Sequence, residues 1–174
     1  MMEPDILNPA WIHQNQATIA QWSAPRFLWM IRHDLASATS NQPYRLTHAH
    51  HAMTTTHAQI VHHAYHARQA IADAGKIVSE RYHNLALRSV THLADTSIPS
   101  IIQEASDSIQ ALHDVLTIHL PVAEESGMIL CHLAKQHDDH TLQAWLDIGL
   151  HTTQRLKSML AIVTIWRTAQ ARSG

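Results

Sequence analysis

The 174-residue chain predicts an all-α protein, an up-and-down bundle of four main helices with proline kinks near residues 25 and 121 and one long helix over about 43–95. Three observations carry that prediction. Glycine and proline are scarce, 4 and 6 residues, while 45% of the chain is hydrophobic and Ala, Leu, Ile and Gln are abundant. Between Pro43 and Thr96 only Gly75 disfavours a helix. Over the same stretch Leu46, Met53, Ile60, Ala64, Ala67, Ile71, Ala74, Val78 and Leu85 recur at helical steps, with His48, His51, His62, His66, Asp73, Lys76 and Glu80 on the opposite side.

Taken in order, residues 1–7 read as a loose leader, and Asn8-Pro9 supplies an N-cap followed by proline at the first helical position. Trp11, Trp22 and Trp29 fall near one azimuth of an ideal helix and are the expected anchors of a core or an oligomer interface. Pro25 kinks or restarts that helix, and Phe27, Leu28, Ile31 and Leu35 give it a new apolar face to about Ala38. Residues 39–43 form a polar turn into the long helix, which is roughly 75 Å long if it does not break at Gly75. After the turn at 96–100, Ile102, Ala105, Ile109, Leu112 and Leu116 mark the buried side of a third helix.

Pro121 kinks or restarts this helix, with Val122, Ile129, Leu130 and Leu133 continuing its apolar side. Asp138-Asp139 can cap the last helix, whose stripe is Leu142, Leu146, Leu156, Leu160, Val163 and Trp166, and whose end frays over 171–174. Length and the absence of a linker point to a single domain over 1–174.

Composition narrows the function. The net charge is −2, from 12 Lys+Arg against 14 Asp+Glu, with no basic block, so no nucleic-acid partner is expected. A lone Cys131, no signal-like opening and no long apolar run point to a cytoplasmic chain without a membrane span. Glycine-rich phosphate loops are absent. Cys131 beside His132 points about 100° away from it on a helix, which suits a small core residue better than a nucleophile and base. These absences lean away from an enzyme.

Histidine is the outlier, with 17 residues. His62-x-x-x-His66 places two imidazoles one turn apart on one face, a spacing that chelates a transition metal if other ligands complete the sphere. His50 and His57 instead occupy the apolar stripe, as His92 and His119 do on theirs, so each needs a hydrogen-bond partner, a metal or a haem. Seven residues separate His50 from His57, about 10 Å along the axis, too far for both to reach one ion. A ferritin-like di-iron site is poorly served: the chain holds five Glu and one Glu-x-x-His, Glu80 to His83.

The sequence therefore points first to a non-enzymatic bundle that acts by self-association, most simply as a homodimer, or as a scaffold or adaptor subunit, without a cofactor. One alternative is a histidine-based metal or haem protein using His62, His66, His50 and His57. Another is a pH-sensitive association switch, in which His48, His51, His62 and His66 charge together as pH falls through about 6.5.

Overall fold

The computed structural model describes residues 5–37, 58–90, 99–137 and 139–173. All regular structure among them is helical: α1 (Pro9–Gln14), α2 (Gln16–Gln21), α3 (Ala24–Ser37), α4 (Ala58–Val90), α5 (Pro99–Gln136) and α6 (His140–Ser173). The first three correspond to the single helix expected before residue 38, and α4, α5 and α6 pack against one another as a helical bundle. The outer portions of the expected long helix, with Leu46, Met53, His48, His50, His51 and His57, lie outside the described residues.

Local chemistry explains the breaks at the amino-terminal end. The Ala10 amide donates to the Asn8 side chain at 2.9 Å, and Pro9 opens α1 as expected. α1 stops after one and a half turns because Asn15 leaves helical geometry and its Nδ2 donates to the Trp11 carbonyl at 2.8 Å. A second break falls at Trp22-Ser23, where the Ser23 hydroxyl accepts from the Arg26 amide at 3.2 Å and restarts the chain as α3. Pro25 thus sits in the first turn of a new helix, where a missing amide proton costs nothing. The expectation of a loose leader is corrected at its inner end: Ile6 and Leu7 are buried, and the Leu7 amide donates to Asp5.

α4 runs through Gly75 without a break. Its buried face includes the expected Ala64, Ala67, Ile71, Ala74 and Val78, and also Arg68 and Ser79. The face is wide because α4 is packed by α3, α5 and α6 together, so residues that would flank a simple seam are covered as well. α5 likewise runs through Pro121, which deprives the Thr117 carbonyl of its usual amide but does not end the helix. Asp139 caps α6, its Oδ1 accepting from the Thr141 and Leu142 amides at 2.8 and 3.2 Å.

Directions follow from these contacts. Between α5 and α6, Gln143 donates to the Ala134 carbonyl, while Gly149 faces Leu130 and Gly127 faces Leu150, an antiparallel register. Between α4 and α6, Arg68 lies over Trp145 and Ile71 lies against Gly149, so these two run parallel and α5 runs opposite to both. At Gly149 the three helices approach closely, since a Cβ there would sit 2.9 Å from Ile71 Cδ1 and 3.4 Å from Leu130 Cδ1.

One core joins all six helices, with Phe27, Ile31, Ile71, Leu112, Leu130, Trp145 and Leu156 among its innermost side chains. At one end of it Trp11 stacks on Trp22 (6.3 Å between centroids), Phe27 meets Trp22 edge-on (6.1 Å) and Trp166 of α6 closes the cluster against Phe27 (5.8 Å). Trp166 Nε1 donates to the Trp22 carbonyl at 2.7 Å, tying the α2–α3 break to α6. Phe27 of α3 joins Trp11 and Trp22 of the expected tryptophan set in this cluster. The break at Trp22-Ser23 shifts the phase between Trp22 and Trp29, and Trp29 is half-buried on α3.

Candidate functional site

Among the described residues, α5 carries a cluster of exposed large apolar side chains. Ile118 is 63% exposed, Met128 73%, Val122 45% and Ile129 43%, and Leu150 of α6 adds a fifth large apolar side chain at 49%. Val122 and Ile129 are expected from sequence on the core side, and the structure corrects this. The expectation supposes that Pro121 resets the helix phase, but α5 continues through it. At 100° per residue, Val122 and Ile129 then lie roughly 120° from the row of Ala105, Ile109, Leu112 and Leu116. Leu130, expected in the core, is fully buried and Leu133 packs against the core, while Ala123, Ser126 and Ala134 take the other core positions after Pro121. Ile102, also expected in the core, is 36% exposed at the edge of that row.

Ile118, Val122, Glu125 and Ile129 follow one another at steps of four, three and four, the a/d spacing of a helix–helix seam. Pro121 and Met128 lie along one border of this seam, both exposed, and Asp114 and Lys135 extend the same border by about two turns at each end. Ile118 and Met128 were missed by sequence reasoning. The signal that finds them is the azimuth of each apolar residue, held constant through the proline.

The second feature is the histidine pair. His62 and His66 are both exposed on the outer face of α4, their ring centroids 4.3 Å apart with planes at 80°. His63 lies 6.0 Å from His62, and the Tyr65 ring is 6.0 Å from that of His66. Among the described residues no group of three or more His, Cys, Asp or Glu side chains converges, so the pair offers two protein ligands and an open side. Of the other candidates, His50, His57 and His92 lie outside the described residues, while His119 is half-buried on α5. Glu80 pairs with Lys76 at 3.9 Å on the exposed face of α4, and the His83 side chain lies outside the described residues. Cys131 is half-buried and packs against the core, while its neighbour His132 is exposed.

A third feature is interior. Arg68 is only 5% exposed, and its guanidinium lies 4.9 Å from the Tyr65 ring centroid and 5.3 Å from that of Trp145. Burial pushes this guanidinium below the usual arginine range, while Tyr65 opposes the shift through its charge interaction and a side-chain hydrogen bond. The arrangement clamps α4 to α6 by cation–π contact and gives the core a fixed register.

No protein-family model, characterised protein or solved structure matches this chain. Among the described residues no helix is long and apolar enough to cross a membrane.

Proposed function

We propose that this protein works by self-association, with the outer face of α5 docking against a second copy. The observation that carries the reading is the row of Ile118, Val122 and Ile129, exposed on a helix whose other side is fully used by the core. A solvated helix face gains from charged residues, whereas clustered large apolar side chains gain from being covered. Sedimentation velocity on the untagged protein tests it. A dimer that populates with rising concentration is expected, and Ile118→Glu or Ile129→Glu should shift it to monomer with an unchanged circular dichroism spectrum. A native protein that stays monomeric up to about 500 µM, above the affinity range of weak specific interfaces, would refute it.

The His62–His66 geometry favours a second reading, transition-metal binding. Two imidazoles one helical turn apart suit Zn²⁺, Cu²⁺ or Ni²⁺, with water or a group from another molecule completing the sphere. Titration of tag-free protein with Cu²⁺, followed by electron paramagnetic resonance, should show a tightest site with two nitrogen ligands. His66→Asn should abolish that site and His63→Asn should leave it intact. A tightest site indifferent to His66→Asn would remove the reading.

A further inference from the structure

The α5 surface carries enough pattern to specify how two copies meet. We infer that α5 packs antiparallel against the α5 of a second copy, about a twofold axis passing between Ala123 and Glu125. This inference rests on the self-association proposed above and adds its geometry.

The argument begins with the seam positions. Antiparallel helices pair an a position of one with a d position of the other, so residue numbers across the seam add to a constant. Placing Ile118 against Ile129 of the second copy fixes that constant and puts Val122 against Glu125. Twofold symmetry repeats both layers in reverse. The result is an isoleucine layer at each end, with Val122 and the aliphatic stem of Glu125 between them and the Glu125 carboxylate reaching the rim.

The same register decides the border without further adjustment. Pro121 comes beside Met128 of the second copy, so the 73% exposed Met128 gains an apolar neighbour. About two turns further out, Asp114 comes beside Lys135 of the second copy, at both ends of the seam. Within its own helix the Asp114 Oδ1 accepts from Gln110 Nε2 at 2.9 Å and lies 3.5 Å from His113 Nδ1, yet its side chain is 61% exposed, as Lys135 is exposed, so both can still be reached from a second copy. Apolar therefore meets apolar and acid meets base in a single alignment, chosen only to match the two isoleucines. A parallel pairing fails the same test, because equivalent d positions then face each other and set Glu125 against Glu125. The seam from 114 to 135 is about 31 Å long, which places the contact at the small end of specific interfaces and makes a weak, reversible dimer the expectation.

The electrostatic pairing makes the register testable separately from association itself. The full chain would be examined by sedimentation velocity at low ionic strength as the native protein, Asp114→Lys, Lys135→Asp and the double reversal. Each single reversal creates like-charge contacts at both ends of the seam and should weaken dimerisation roughly tenfold, two exposed pairs being affected at once. The double reversal should return the dissociation constant to within about threefold of native, since the pairs are restored with exchanged signs. These substitutions lie on an exposed helix face, and circular dichroism checks that each variant remains folded. If the native protein dimerises and Ile118→Glu dissociates it, but the double reversal binds no better than the single ones, the antiparallel register is wrong while self-association stands. If the native protein does not dimerise, both fall together.

Discussion

Two glycines on facing helices should respond in opposite directions to the same substitution. Gly127 of α5 and Gly149 of α6 are both buried and helical, and neither has positive φ, so alanine is conformationally better at each. The propensity gain is about 0.8–1.0 kcal/mol in both cases. Space separates them. At Gly127 an added Cβ would find Leu150 Cδ2 at 4.0 Å, an ordinary contact. At Gly149 it would sit 2.9 Å from Ile71 Cδ1 and 3.4 Å from Leu130 Cδ1. Carbon atoms prefer about 3.5–4.0 Å, so Ile71 must retreat by roughly 0.6–1 Å.

Ile71 is 2% exposed and Leu130 0%, so their terminal methyls must move within a close-packed core rather than into solvent, and overpacking of this kind costs about 1–3 kcal/mol. Gly127→Ala should therefore stabilise the fold by about 0.5–1 kcal/mol and Gly149→Ala should change it by about 0 to −2 kcal/mol. Gly149→Val adds two further carbons and a β-branch and should cost about 3 kcal/mol or more. The difference between the two alanine variants is the firmest quantity, because the propensity terms cancel and leave the overpacking alone. Urea unfolding followed by far-ultraviolet circular dichroism measures it. If the alanine variants agree within about 0.3 kcal/mol, the close approach of α4, α5 and α6 at Gly149 is wrong.

Three further outcomes follow from individual contacts. Trp166→Phe removes the donor to the Trp22 carbonyl and part of the aromatic cluster, and should cost about 1–3 kcal/mol in urea unfolding. Asp139→Ala removes the acceptor for two first-turn amides of α6 and should cost about 1–2 kcal/mol, with Asp139→Asn recovering most of it. Arg68→Ala empties the space between Tyr65 and Trp145 and should cost about 2–4 kcal/mol, whereas Arg68→Met fills it without a buried charge and should stay within about 1.5 kcal/mol of native.

Whereas the buried Trp145, Met159 and Ile162 of α6 were not in the expected stripe, the all-helical class, the caps at Asn8 and Asp139, the core face of α4 over 64–78 and part of that of α6 could be read from the chain alone. Each depends on neighbours a few residues apart, where helical periodicity and side-chain capping act. The interruption at Asn15 was not legible, because an asparagine that bonds back to the Trp11 carbonyl resembles any polar surface residue in the sequence. The pairing of His62 with His66 was legible as a spacing, and the structure adds a 4.3 Å separation and an exposed setting.

What the sequence by itself determined, then, was which segments are helical and, within α4 and part of α6, which residues share a face, since both follow from backbone propensity and a fixed 100° rotation per residue. Only the tertiary structure decided which of the apolar residues are covered. Pro121 either resets or preserves the phase of α5, and local chemistry permits both. Packing against α4 and α6 favours the continuous helix, seats Ala123, Ser126 and Leu130 in the core, and turns Ile118, Val122 and Ile129 outward. The same three-helix packing buries Arg68 on a face that its own helix would have left at the margin, because a helix covered on three sides has little margin to leave.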